Sequence, residues 1–451
     1  MLDIAPDPTQ QTAQDPEPAK ANGKPELTRK GFILTYPMFR YWGKEPVEEG
    51  AKPAPLNLYV HMPYCIQRCA YCYFKTTTLK ENRLQEIDRY VSSVCQEIEI
   101  GAQRFNLGER PVETVYFGGG TPTLMSEENI DKLFATLRAN FNFVNPQITF
   151  EGEPVTLTPR KAALLQRNGV NRISLGIQSF KEEVVFQTGR RDTEEQTMNA
   201  IALAKGTGAQ VNIDLISGLG GETPETWAYS VQRAIEADLH NITIYKLELY
   251  ANTPYYSAER HHELELPGDE MELELIQYAV GELKKHGYRP INTFTWAKDP
   301  KYDQLNTRSK WTGNDNYAVG VSAFGNLGRW NYQNTNDIKT YSEIVEKGEL
   351  PAFRAYTCTT FEMMVRDAVL GIKLIDLSHV RFRKKHGIDL RSVCAAELTE
   401  LEEEGFVTVD DRNISLTEYG VLYGDYVARI LEGSLKKLTG ESSGTRARVL
   451  F

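Results

Sequence analysis

What the chain has little of narrows its class first. No apolar run approaches the roughly 20 residues that cross a bilayer. The longest apolar stretch near the N-terminus, Gly31 to Phe39, is short, broken by Thr35 and Pro37, and carries no small-residue cleavage site. Neither a membrane-spanning segment nor a secretory leader is expected, and the expected location is cytoplasmic. Surplus positive charge is also absent: 51 Lys and Arg stand against 61 Asp and Glu, a formal net charge of −10. Broad nucleic-acid binding needs clustered cations to neutralise phosphates, so no nucleic-acid partner is expected, and a small-molecule substrate is. Cysteine is scarce as well. Six in 451 residues make no disulfide framework, because three of them crowd into residues 65 to 72. That crowding reads as a ligand set, whereas Cys95, Cys358 and Cys394 stand alone in apolar patterns and read as small buried hydrophobes.

A chain of 451 residues exceeds a single core of roughly 250–300 residues, so a barrel-sized domain with a smaller companion is expected. Residues 1–29 are rich in Pro, Gln, Asp, Ala and Lys and hold almost nothing large and apolar, which reads as a disordered segment. Residues 433–451 read as a disordered tail for the same reason. Between these ends, short apolar strands alternate with amphipathic helices, the pattern of βα units around a parallel sheet.

Strand candidates are Leu56 to Met62, Thr114 to Phe117, Ile148 to Glu151, Arg172 to Gln178, Val211 to Ile216 and Ile242 to Leu249. Thr158-Pro159 and Thr223-Pro224 place N-caps before first-turn prolines, and Thr193 with Gln196 forms a capping box. Ile87, Tyr90, Val91, Val94 and Ile98 make one helical stripe, and Gly169 and Gly287 sit where helices end. The expected fold class is α/β: a partial (β/α)6 barrel over residues 30–360, with its working face at the C-terminal ends of the strands. Residues 361–432 then read as a small C-terminal winged-helix-like module, with helices around Leu370 and from Arg391 to Glu404 and a hairpin from Phe406 to Leu416. The acidic residues Glu400, Glu402, Glu403 and Glu404 point this module toward packing or a lid, away from DNA.

Directly after the first strand comes His61-Met62-Pro63-Tyr64-Cys65-Ile66-Gln67-Arg68-Cys69-Ala70-Tyr71-Cys72. Three thiolates on one loop suit an iron-sulfur cluster, and four irons with three protein ligands leave one iron open to bind something else. A structural zinc with His61 as fourth ligand fits the spacing too. Gly118-Gly119-Gly120-Thr121-Pro122 ends the second strand, where glycines let backbone approach a ligand closely. Glu151, Gln178 and Asp214 lie at the ends of three successive strands, positions from which a barrel builds its site.

These segments, with Tyr59-Val60-His61-Met62-Pro63, Ser174-Leu175-Gly176-Ile177-Gln178-Ser179-Phe180, Ile213-Asp214-Leu215-Ile216 and Leu219, strongly resemble the radical S-adenosylmethionine (SAM) proteins related to oxygen-independent coproporphyrinogen III oxidase. The resemblance runs from about Tyr36 to about Leu431 and makes the expected barrel a radical SAM barrel. It implies that Cys65, Cys69 and Cys72 ligate a 4Fe-4S cluster, that Tyr59 lies near the cluster-bound SAM, and that Gly119 and Gly120 hold its methionine part. It further implies that Glu151, Gln178, Arg190 and Asp214 meet the carboxylate, amino and ribose groups. A second SAM would touch Tyr71, Gly120, Thr121, Gln178 and Ile216. An electron donor such as flavodoxin or ferredoxin is implied as partner.

The resemblance leaves three reactions. The oxidase decarboxylates propionate side chains, related methyltransferases move a methyl group from a second SAM, and haem chaperones bind and deliver haem. The oxidase motif continues past its third cysteine with a small residue and a fourth cysteine, where this chain has Tyr73 and Phe74. Two bulky aromatics there point to a pocket for a flat apolar substrate. The expectation is class C methyl transfer to an sp2 carbon of an aromatic or quinone-like molecule such as menaquinone, with porphyrinogen oxidation and haem delivery as alternatives. His261-His262, beside Glu259, Glu263 and Glu265, reads as a solvated loop. Trp296, Trp311 and Trp330 fall where the family closes over its substrate.

Overall fold

The computed structural model describes residues 29, 31–43, 55–79 and 85–439. Residues 1–28 and 440–451, most of the expected disordered ends, lie outside the described residues. Six parallel strands follow one another in both chain and sheet: β1 (Leu56–Met62), β2 (Pro111–Gly119), β3 (Asn142–Gly152), β4 (Arg172–Gln178), β5 (Gln210–Ser217) and β6 (Asn241–Lys246). Their registers place Tyr59 beside Tyr116, Glu151 beside Ser174 and Gly176 beside Asp214. A seventh parallel strand, β7 (Asp315–Val319), pairs with the free edge of β1. Beyond it, three antiparallel strands, Phe324–Leu327, Trp330–Asn334 and Ala352–Thr357, extend the sheet.

The strands form because apolar residues recur at every second position. Leu58, Val60, Val115, Phe117, Phe150, Ile173, Leu175, Ile213 and Leu215 are buried and share the helix-facing side, as the two-residue pleat dictates. The helices start at the expected signals. Thr158, Thr193 and Thr223 each accept a backbone amide from three residues on, and Thr193 and Thr223 complete capping boxes. Gly169 and Gly287 follow helix ends with φ of +76° and +84°. The apolar stripe Ile87, Tyr90, Val91, Val94 and Ile98 is buried along the helix Gln85–Arg104. Cys95, Cys358 and Cys394 are buried.

The C-terminal module packs the helices Thr360–Gly371 and Ala395–Glu403 against a small antiparallel sheet of Asp376–Ser378, Asn413–Leu416 and Val407–Val409. Two expectations are corrected here. The helix expected from Arg391 to Glu404 is broken at Cys394, whose φ of −105° and ψ of 21° are not helical. The chain from Gly433 is no tail at first: the helix Gly424–Lys436 runs through it, because Tyr426, Val427, Ile430, Leu431 and Leu435 keep one buried face going past the glycine.

An N-terminal strap crosses between module and barrel. Ile33 donates its amide to Asp425 at 3.0 Å, Gly31 donates to Glu248 at 3.0 Å, and Arg29 pairs with Glu272 at 3.0 Å. Trp296, Trp311 and Trp330 are all buried packing residues, and Trp330 stacks on Tyr332. His261 and His262 are exposed, as a solvated loop requires. No helix among the described residues is long and apolar enough to cross a membrane.

Candidate functional site

The strand faces turned away from the helices line a polar lumen. Its lower part is a hydrogen-bonded layer. Thr114 donates to Asn57 at 2.7 Å, Asn212 donates to Ser174 at 2.9 Å, and Thr243 donates to Asn212 at 2.9 Å. The helix Leu305–Trp311 closes this end, with Asn306 donating to Thr114 at 3.0 Å and Asn57 donating to Ser309 at 2.9 Å. Above lie the ionisable groups. Tyr59 stacks against Tyr116 with centroids 6.0 Å apart, and Tyr116 donates to Glu151 in a short hydrogen bond. Asp214 accepts from Asn212 at 2.9 Å and from Ser174 at 3.4 Å. Burial raises the pKa of Glu151 to about 7, against the hydrogen bond from Tyr116, and raises that of Asp214 as well, against the nearby Arg172 charge.

The cysteine loop sits on the mouth of this lumen. Residues 64–65 pair with 77–78, Leu79 donates to the Cys65 carbonyl at 2.9 Å, and Cys72 donates to the Cys69 carbonyl at 3.1 Å. Ala70 is pinned from two sides, donating to Thr188 at 2.8 Å and accepting from Tyr255 at 3.0 Å. Under the loop, the Gly120 amide donates to Met62 at 2.6 Å and the Thr121 amide to Tyr64 at 2.8 Å. A Cβ on Gly120 would stand 2.6 Å from the Tyr64 carbonyl and 2.9 Å from Cys65 Sγ. Gly119 has a φ of +108° and lies on the His61 ring. The glycines therefore serve first the close approach of this chain's own loop, and the Gly119 and Gly120 amides are engaged internally.

The structure brings the sequence-predicted residues to one mouth. Tyr59 bonds His61 Nδ1 at 3.0 Å, and burial lowers the His61 pKa to about 4, so the ring is neutral. Gln178 ends β4 with a φ of +73°, and its buried Oε1 has no partner. Arg190 Nε donates to Asp192 at 2.7 Å and Nη1 to the Gly176 carbonyl at 2.8 Å, while Nη2 is buried without a partner. A bidentate grip on a ligand carboxylate is thus closed to Arg190, because two corners of its fork already hold the barrel together. Tyr71 and Ile216 share a small apolar cluster with Val184, Leu219 and Tyr255. Thr121 is fully buried.

Sequence reasoning missed Tyr116, Arg172, Tyr245, Tyr250 and Lys310. The first three carried a usable signal, since they stand at even spacing from Gly118, Gln178 and Leu247 on strands already identified. Lys310 carried none. Tyr73 stacks between Phe74, at 4.4 Å, and Tyr250, at 4.1 Å, and Phe74 is 46% exposed.

Residues 59–234 match the profile of the Radical SAM superfamily, and residues 362–423 match the HemN C-terminal domain. The chain carries a Radical SAM domain followed by a HemN C-terminal domain. It is 29% identical to the oxygen-independent coproporphyrinogen III oxidase of Pseudomonas aeruginosa over 408 residues, covering 85% of this chain and 87% of the relative. It is 26% identical to the heme chaperone HemW of Bacillus subtilis over 383 residues, covering 84% of this chain and the whole of the relative. The structure of coproporphyrinogen III oxidase (HemN) from Escherichia coli, described as a radical SAM enzyme, superposes with a TM-score of 0.76 at 26% identity, covering 90% of this chain and 97% of that one.

A Radical SAM domain implies a 4Fe-4S cluster and SAM, and the residues present fit both. Burial pushes the Cys65 and Cys69 thiols up to about 12 and raises Cys72, so only a cationic centre would hold all three as thiolates. Among the described residues no three His, Cys, Asp or Glu side chains converge as one metal ion requires. Donors spread over one loop suit the separated corners of a cluster better than the single zinc that the spacing also allowed. Gln178 Oε1 and Arg190 Nη2, buried without partners among the described residues, suit a polar ligand such as SAM.

Proposed function

We propose that this radical SAM protein acts on a tetrapyrrole held at the polar lumen, in the manner of oxygen-independent coproporphyrinogen III oxidase. The observation that carries the reading is the gathering of Tyr59, Cys65, Cys69, Cys72, Glu151, Gln178, Arg190 and Asp214 at one mouth, in a chain similar to that oxidase over 85–90% of its length. A 4Fe-4S cluster carrying SAM supplies a 5'-deoxyadenosyl radical when bound. Cys65, Cys69 and Cys72 would hold the cluster, and an electron donor of the flavodoxin or ferredoxin kind would supply its electron. Tyr59, Gly119 and Gly120 wall the SAM. Asp214 and Glu151 accept from its hydroxyl or ammonium groups, and Arg190 Nη2 and Gln178 meet its remaining polar atoms. A second SAM, where bound, contacts Tyr71, Gly120, Thr121, Gln178 and Ile216. The reaction moves a hydrogen atom from a propionate side chain to the 5'-deoxyadenosyl radical, giving 5'-deoxyadenosine, passes one electron to a one-electron acceptor, and releases carbon dioxide to leave a vinyl group.

Haem delivery is a second reading, favoured by one specific observation. The Tyr73 ring lies between Phe74 and Tyr250, and the exposed Phe74 offers a flat face for a planar macrocycle. Methyl transfer to a quinone-like acceptor, the first expectation from Tyr73 and Phe74, draws no support from the relatives named above, which are oxidases and a haem chaperone. Anaerobic turnover of the reconstituted protein with coproporphyrinogen III and methyl-labelled SAM separates the three. The oxidase reading expects 5'-deoxyadenosine together with carbon dioxide. Transfer of the label to product supports the methyltransferase, and tight haem binding without SAM cleavage supports the chaperone.

A further inference from the structure

Two cations of the lumen have no side-chain hydrogen-bond partner among the described residues. Arg172, at the foot of β4, is fully buried, and its Nε, Nη1 and Nη2 atoms make no hydrogen bond. A buried guanidinium with its donors unmet is an arrangement that folds keep only for a reason. Lys310 is the second. It belongs to the helix Leu305–Trp311 that closes the lumen, where Asn306 and Ser309 are hydrogen-bonded into the barrel foot. The backbone carbonyl of Lys310 accepts from the Gly313 amide at 3.1 Å and from Arg366 at 3.4 Å. Its ammonium has no hydrogen bond or ion pair among the described residues, and the side chain keeps part of its surface exposed.

Glu151 is the charge these cations share. It acts on Lys310, opposing the burial that lowers the lysine pKa to about 8, and its own ionisation feels Arg172. Asp214, also near Arg172, is the other carboxylate of the lumen. Both acids are already hydrogen-bonded by protein donors, Glu151 by Tyr116 and Gly119 and Asp214 by Asn212 and Ser174. Once both also accept from SAM, neither has much capacity left for Lys310 or Arg172. An anion from a further ligand is what the site then lacks. A lysine suits the task, being a compact point charge on a flexible stem that can follow a substrate group.

We propose that Lys310, with Arg172 behind it, receives a carboxylate of the substrate in the lumen. The contact selects acidic substrates over neutral ones and fixes the side chain that faces the radical, since the carbons next to the anchored carboxylate are then presented toward the mouth. The proposal rests on the lumen being the substrate chamber, as argued under the proposed function, and adds the residue that reads the substrate's charge.

The test is a binding titration of the reconstituted, SAM-loaded protein with coproporphyrin III and with its tetramethyl ester. The visible absorption of the cluster checks that each variant is intact. The wild type is expected to prefer the free acid at least tenfold, Lys310→Gln to lose that preference, and Lys310→Arg to keep most of it. Equal affinity of Lys310→Gln and wild type for the free acid overturns the role of Lys310 and leaves the tetrapyrrole reading standing. A wild type that binds neither compound defeats the tetrapyrrole reading instead. The lumen proposal is then decided by 3-phenylpropionate against 3-phenylpropanamide in the same titration, and it falls if no preference for the acid depends on Lys310.

Discussion

Lys373 in the C-terminal module and Arg172 in the barrel lumen are both fully buried cations, yet their surroundings differ in kind. Lys373 donates to Asp425 at 2.7 Å and to the Ile33 carbonyl at 2.9 Å, with its ammonium 5.0 Å from the Phe294 ring and 5.1 Å from that of Trp311. Every partner it needs is in the chain, and in satisfying it they tie the N-terminal strap to the module. Arg172 has neighbouring charges but no hydrogen-bond acceptor among the described residues. A satisfied buried charge specifies structure, and an unsatisfied one marks a place where structure waits for a ligand.

The largest expected effect tests the loop that defines the site. Cys69→Ala should bleach the reconstituted cluster and bring 5'-deoxyadenosine formation below detection, while circular dichroism stays that of a folded barrel. A variant that keeps its iron and cleaves SAM would remove Cys69 from the ligand set.

The next effect sharpens the contrast between the two cations. Lys373→Met leaves Asp425 buried with only the Ile33 amide as donor and should cost about 3–5 kcal/mol in urea unfolding. Arg172→Met deletes a charge that makes no hydrogen bond and should cost the ligand-free protein far less. Equal losses would erase the distinction. Asp214→Ala should then weaken SAM binding about tenfold, or ~1.4 kcal/mol, with the cluster retained. Isothermal titration reads this, and an unchanged affinity would take Asp214 out of the SAM site.

A smaller effect comes from pH. The pKa of Glu151 is raised by burial to about 7 in the folded protein, from 4.5 unfolded, so between these values the folded state holds the extra proton. Its contribution to the stability of the ligand-free protein is therefore greatest below about pH 4.5 and is lost as pH rises toward 7. Glu151→Gln should flatten part of that slope in urea midpoints, leaving the parts due to Glu97, Asp214 and Glu222, which burial raises in the same way. The smallest effect is at the surface: Thr193→Ala, which removes a helix cap, should cost about 1 kcal/mol with SAM binding untouched.

The barrel was legible because its signals are local. Leu56–Met62 and Arg172–Gln178 are strands over the residues expected, and Thr158, Thr193 and Thr223 cap the helices they announce. The cysteine spacing was legible for the same reason, since one short loop carries all three thiols. Tyr116 and Arg172 escaped notice because an apolar strand draws attention to its helix-facing residues, although the alternate positions held the lumen. The helix Gly424–Lys436 escaped in part because Gly433 and Ser434 resemble a linker, while the face that continues through them is recognised only once the module supplies its partner.

By itself, the order of residues determined the strand and helix succession, the three-thiol loop and the alternation that makes one strand face polar, since each depends on backbone geometry within a few residues. Tertiary structure decided which charges find partners. Lys373 meets Ile33, and Lys310 comes under the influence of Glu151, only when segments far apart in the chain are folded together. Hydrogen bonding and desolvation depend on distance in space, and no local pattern encodes that distance.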